Sequence, residues 1–282
     1  MRSGGVMFRR PGAIEIKNRE QLAMMRRAGL VVAEALTACG EACVDGVTTA
    51  ELDGIAASVL TRRDAGSSFR GYHGYPAVLC VSVNDEVVHG IPGERVLRTG
   101  DLVSIDFGAV VEGWHGDAAV TVAVGAVPRD LAELSDTTRA ALWAGLSAAL
   151  PGGRLGDVGA AVEDTVRSVG RGYGILRDYV GHGIGSRMHM EPAVPNFGPA
   201  GRGPKLRPGM AIAIEPMVTL GSEEVYVHDD DWTVSTVDRS FAAHWEHTVA
   251  ITADGPWVLT ALDGGAAHFT EAGIPSPAQA RT

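Results

Sequence analysis

The sequence predicts an α+β fold made of two pseudo-symmetric α/β halves. Three observations lead there. A helix–helix–strands order occurs twice, short segments recur in the same order in both halves, and carboxylates sit inside apolar strands at the recurring points.

The elements follow in order. Residues 1–17 read as a loose lead-in. Asn18 can cap a helix, Gln21 occupies the capping-box position, and Leu22, Met25, Val32 and Leu36 recur at helical spacing. A second helix opens at Thr48, three residues before Glu51. β-rich runs follow: "AVLCVSV" (77–83), "DLVSIDFGAVV" (101–111) and "AAVTVAV" (118–124). Helices are expected near 129–150 and 156–169, and the β-rich runs return as "MAIAIEPMV" (210–218), "WTVSTV" (232–237) and "EHTVAIT" (246–252). Residues 18–263 read as a single domain with pseudo-repeats of about 18–125 and 126–263. Residues 264–282, rich in Pro, Ala and Gly, read as a flexible tail.

Composition narrows the class. With 45% hydrophobic and 21% charged residues, the 282-residue chain has ample material for a core. A net charge of −10 without a long Lys/Arg cluster argues against nucleic-acid binding. The three cysteines, Cys39, Cys43 and Cys80, are odd in number and lack a repeated spacing, so they form no disulfide framework or zinc knuckle. Cys39 and Cys43 read as buried thiols at a helix end. No run has signal-peptide or membrane-span character. A cytoplasmic monomer without membrane contact is expected.

The internal echo carries the functional signal. "VVHGI" (87–91) matches "VGHGI" (180–184), "RTGDLVSID" (98–106) matches "RPGMAIAIE" (207–215), and "DAAVTVAV" (117–124) matches "EHTVAITA" (246–253). The matches pair His89 with His182, Asp106 with Glu215, and Asp117 with Glu246. Asp106 and Glu215 interrupt apolar runs, and acids are almost never fully buried unless paired. A lone acid of this kind would face water from an edge strand; four acids matched across a repeat favour a shared site. The nearby bases Arg98 and Arg207 stand at the outer strand ends, so divalent cations are the better counter-charge. One histidine with several carboxylates suits manganese, iron, cobalt or zinc. Gly113 and Gly116 permit a hairpin that brings Asp117 back to Asp106. The run "GHGIGSRMHMEP" (181–192) holds His182 and His189 in backbone that reads as neither helix nor strand.

The motifs "SIDFGAVVEGWHGD", "GHGIG", "IEP" and "EHT", together with "GYHGYPAVLCVSVNDEVVHGIP" (71–92), resemble the type I methionine aminopeptidases over about residues 14–262. The resemblance implies the pita-bread fold, two divalent ions, and removal of the initiator methionine from nascent polypeptide N-termini, with the ribosome as a place of encounter. It implies that Asp117, His182, Glu215 and Glu246 hold one ion, and that Asp106 with Asp117 and Glu246 holds the second. His89 and His189 would face the substrate, Glu215 would accept a proton from water, and Tyr72, Tyr75, Cys80 and Trp232 would line the methionine pocket. Small second residues are implied as the preferred ones. Three positions depart from the pattern: Met188 for an aromatic, His244 for a glutamine and Asp231 for a glycine. His73, His115, His228 and His247 are expected to be satisfied by ordinary hydrogen bonds. An X-Pro peptidase is the neighbouring alternative, and a binding module that kept the fold but lost catalysis is the distant one.

Overall fold

The structure is a computed structural model and describes residues 13–279. Both helix starts form as the sequence signals. In α1 (Arg19–Ala42) the Asn18 side chain accepts the Gln21 N–H at 2.9 Å, and the Gln21 side chain accepts the Asn18 N–H at 2.8 Å. Thr48 and Glu51 make the same exchange ahead of α2 (Thr49–Arg62). Each exchange satisfies donors that a helix start cannot satisfy from within. Leu22, Met25, Val32 and Leu36 are all buried.

Five strands complete the first half: β1 (Gly66–Ser67), β2 (Leu79–Val83), β3 (Glu86–Val88), β4 (Leu102–Val111) and β5 (Trp114–Ala123). β4 and β5 are a ten-residue hairpin that turns at Glu112 (φ 50°) and Gly113 (φ 80°). Two left-handed residues give the turn the same twist as the strands it joins. Gly113 therefore plays the part expected of it, and Gly116 plays another. Gly116 lies within β5, where an added Cβ would come within 2.9 Å of the Gly29 nitrogen on α1. Its absence lets α1 lie close on the sheet.

The second half contains α3 (Arg129–Ala148), α4 (Leu155–Ser168) and ten strands. They are β6 (Gly174–Ile175), β7 (Gly181–Gly183), β8 (Met190–Val194), β9 (Ala211–Ile214), β10 (Met217–Thr219), β11 (Val225–Val227), β12 (Val234–Thr236), β13 (Ala242–His244), β14 (Glu246–Thr252) and β15 (Gly255–Val258). The large sheet runs β1-β4-β5-β14-β9-β7-β8, with β2 also on β4 and β15 on β14. The halves meet where β5 pairs with β14, Ala119 opposite Glu246. Because side chains alternate between faces, Ile105 and Phe107 point into the core under α1 and α2, while Asp106 between them points away. Ile212 and Ile214 do the same beneath α3 and α4.

Four expectations need correction. The first three residues of the "GHGIG" stretch, Gly181–Gly183, are strand β7, paired with β8 and β9. Its glycines serve proximity, since a Cβ on Gly181 would lie 2.3 Å from the Ala213 oxygen and one on Gly183 2.1 Å from that of Glu191. Trp232 precedes strand β12, because Asp230 Oδ1 accepts the Trp232 and Thr233 N–H groups and holds that corner as a turn. The expected tail is packed through residue 279: α5 (Ala266–Glu271) buries Phe269 completely against Trp143, and Ser276 Oγ donates to the Pro256 carbonyl at 2.7 Å. Of the lead-in, residues 1–12 lie outside the described residues, but 13–17 are docked. The Lys17 N–H donates to the Gly209 oxygen at 2.7 Å, and the Glu15 carboxylate accepts from Ser186.

Candidate metal centre

Strand register assembles the site. Cys80 pairs with Asp106, Asp106 with Ala119, and Ala119 with Glu246. Directly opposed residues share a face, so these four side chains form one row across β2, β4, β5 and β14. Asp117 lies two residues along β5 from Ala119 and therefore on the same face. Glu215 follows Ile214, the partner of His247, and so extends the row beyond Glu246. Ala119 stands in the middle of the acids and offers only a methyl group. That gap is where counter-charge fits, and no sequence pattern marked this alanine.

His182 arrives from β7 with its tautomer fixed. Its Nδ1 lies 3.0 Å from the Gly183 carbonyl oxygen, which can only accept, so the hydrogen is on Nδ1 and the Nε2 lone pair is free. That Nε2 is 3.6 Å from Glu215 Oε1 and 4.0 Å from Asp117 Oδ2. Burial pushes the ring's pKa down to about 3, which keeps it neutral. A neutral imidazole oriented by a backbone carbonyl is in the state that binds a metal ion.

The carboxylates show what they lack. Asp106, Asp117, Glu215 and Glu246 are buried, and burial raises the pKa of each. Asp117 is pushed up to about 7. For the other three, mutual repulsion adds to burial, with Asp117 among the repelling charges each time. Asp106 Oδ1, Asp117 Oδ1 and Glu246 Oε1 have no hydrogen-bond partner. Orphaned buried carboxylate oxygens beside an imidazole lone pair fit a divalent cation. Among the described residues, two sets place three ligand atoms within 4.8 Å of one another: Asp117, His182 and Glu246; and Glu215, His244 and Glu246. Asp106 belongs to neither set but lines the same cavity.

That cavity, about 230 Å³, is lined by every residue to which the sequence reading gave a metal, catalytic or substrate role: Tyr72, Tyr75, Cys80, His89, Asp106, Asp117, His182, His189, Glu215, Trp232 and Glu246. It is smaller than the roughly 300–1,000 Å³ of common small-molecule sites, which suits one side chain and its backbone. Phe69, Tyr75, Cys80 and Met188 form a buried apolar wall, with Tyr72 and Trp232 packed against it. Met188, the departure expected to change the pocket's shape, belongs to this wall, and so does Phe69, to which sequence reasoning gave no pocket role. His89 is held at φ 62° and His73 at φ 48°, conformations unusual for non-glycine residues. His189 stands at the mouth, its Nδ1 2.8 Å from the Tyr72 hydroxyl and its ring 4.2 Å from that of His182. Asp231 adopts φ 63°, so it keeps the left-handed backbone that glycine favours. His115, His228 and His247 bond to Ser68, Ser235 and Thr260, as expected of structural histidines, whereas His73 lines the cavity. A larger groove of about 710 Å³ flanks α1 and α2 away from this chemistry, and its Glu34 is paired with Arg62 and Arg63.

A curled antiparallel sheet with acids and an imidazole on its inner face defines a metal-dependent hydrolase of the pita-bread fold. The profile of metallopeptidase family M24 matches residues 23–253. Methionine aminopeptidase 1 of Mycobacterium tuberculosis is 54% identical over 245 residues, covering 85% of this chain and 92% of that one. The crystal structure of the methionine aminopeptidase from Thermotoga maritima superposes with a TM-score of 0.86 at 44% identity, over 88% of this chain and 99% of that one. The prolidase from Pyrococcus furiosus shares the fold alone, with a TM-score of 0.69 at 22% identity over 87% of this chain and 65% of that one. The chain belongs to metallopeptidase family M24, in its methionine aminopeptidase branch.

Proposed function

We propose that the protein removes the N-terminal methionine from nascent polypeptides, with Asp117, His182, Glu215 and Glu246 holding one divalent ion and Asp106, Asp117 and Glu246 a second. The observation that carries this is the single row of acids facing a cavity whose other wall is apolar. Manganese, iron, cobalt or zinc suits the oxygen-rich donor set. Bound there, such ions supply Lewis acidity toward a carbonyl and toward water.

The chain's own groups do the rest. Tyr72, Tyr75, Cys80, Trp232, Phe69 and Met188 enclose an unbranched thioether side chain. Glu215 accepts the proton given up by the attacking water. With its hydrogen on Nε2, His189 accepts from the Tyr72 hydroxyl at Nδ1 and turns the Nε2–H to stabilise the developing oxyanion, a contribution of about 3 kcal/mol. His89, half-buried and with its pKa lowered to about 4 by burial, is neutral and positions the peptide. Three free, buried thiols fit a reducing cytoplasm, and among the described residues no helix is long and apolar enough to cross a membrane.

The test is hydrolysis of Met-Gly, Met-Ala, Met-Leu, Met-Arg and Ala-Pro peptides, before and after chelation. Cleavage of the first two, lost with chelator and restored by Mn²⁺ or Co²⁺, is expected. Preferential cleavage of Ala-Pro, or equal kcat/KM on all four methionyl peptides, would overturn the assignment.

A further inference from the structure

His244 stands where the family pattern has glutamine, and its surroundings suggest what the imidazole is for. The residue is 1% exposed on β13. Its backbone is clamped: its N–H lies within reach of Ser104 Oγ at 3.2 Å and Thr121 Oγ1 at 3.0 Å, and its carbonyl accepts from Thr121 Oγ1 at 2.7 Å. Neither ring nitrogen has a hydrogen-bond partner, yet Nε2 lies 3.6 Å from Glu215 Oε2. Glu215 is thus flanked by two imidazoles, His182 at Oε1 and His244 at Oε2, each at 3.6 Å.

The two rings do not stand in the same place. His182 and Glu215 line the cavity, and His244 does not. An ion in the cavity therefore meets Glu215 from the His182 side, while His244 meets it from behind. The tautomer points the same way. As a metal ligand through Nε2, His244 would carry its hydrogen on Nδ1 and strand a buried N–H, the costlier kind of orphan. With the hydrogen on Nε2, the donor faces a carboxylate and only a lone pair is left over.

We propose that His244 is a positioning residue: with the ion bound, its Nε2–H closes the 3.6 Å gap to Glu215 Oε2 and turns Oε1 toward the ion shared with His182. The proposal rests on the five-ligand assignment above. Hydrogen-bonded partners of ligating carboxylates typically contribute 10–100-fold in metal affinity. Glutamine at this position can also donate an N–H, which accounts for its exchange with histidine; leucine cannot.

The test uses chelator-treated parent protein, His244→Gln and His244→Leu, each titrated calorimetrically with Mn²⁺ alone. His244→Met serves as a second apolar variant should the leucine protein fail to fold. Parent and His244→Gln are expected within about threefold of each other in affinity, with the apolar variants 10–100-fold weaker. X-ray absorption of the Co²⁺-loaded parent is expected to show the single imidazole of His182. Apolar variants that bind like the parent would overturn the proposal. So would two imidazoles on the Co²⁺ of the parent, which would make His244 a ligand. A parent that binds no divalent ion would overturn the five-ligand assignment and this proposal with it, a result distinct from the other two.

Discussion

Asp117→Asn should stabilise the ion-free protein while destroying its capacity to be stabilised by ions. Burial pushes the Asp117 carboxyl from 3.8 up to about 7. Between those values the folded protein holds a proton that the unfolded chain has released, so stability falls as pH rises through that window and stays low above it. At pH 8 the ionised carboxylate costs the ion-free fold roughly 4 kcal/mol. The buried histidines act with the opposite sign. His182 and His244 are lowered to about 3, and His89 and His247 to about 4, by burial. Their contribution is lost as pH falls from their ordinary value toward those numbers, and it is constant at pH 8. Asparagine removes the charge, but Asp117 Oδ1 has no partner, so the new amide stays partly unsatisfied at about 1–3 kcal/mol. A net gain of about 1–3 kcal/mol remains, which for a chain of this size raises Tm by roughly 2–5 °C. Saturating Mn²⁺ should reverse the order, since binding at a thousandfold excess over Kd adds about 4 kcal/mol to the parent alone. Scanning calorimetry at pH 8, with chelator and then with Mn²⁺, decides it. An ion-free variant less stable than the parent, or equal stabilisation of both by Mn²⁺, would refute the reasoning.

Two further predictions concern one substrate residue and the C-terminal segment. His89→Ala should lose about two orders of magnitude or more in kcat/KM while keeping the parent's Mn²⁺ stoichiometry, because the proposed role of His89 is toward the substrate and not toward either ion; His89→Asn is the control that tolerates φ 62°. Loss of an ion equivalent on calorimetric titration would make His89 a ligand. Phe269→Ala should destabilise the fold by about 3–5 kcal/mol, because the ring is fully buried although its segment is rich in Gly and Ala; urea denaturation showing under 1 kcal/mol would return the segment to the status of a tail.

Local rules carried the sequence far in this protein. Capping at Asn18 and Thr48 depends on residues three apart, and the alternation around Asp106 and Glu215 depends on immediate neighbours; both are written in short windows. The internal echo went further and grouped the acids before any coordinates, because a repeated strand–acid pattern implies a shared face. What remained hidden was everything set by residues remote in the chain. Ala119 becomes the gap among the acids only because β5 pairs with β14, 127 positions later at Glu246. The glycines of β7 are close-approach residues only because β8 and β9 lie against them. Phe269 is core because Trp143 on α3 receives it, although its own segment reads as a loose end. His244 looked like an isolated departure from a pattern, and tertiary packing gave it Glu215 as a neighbour. The sequence by itself determined which strand faces carry the acids, since alternation along a strand is a local property. Only the tertiary structure decided the spacing of the site residues, their tautomers and their unpaired atoms, because those depend on which strands meet.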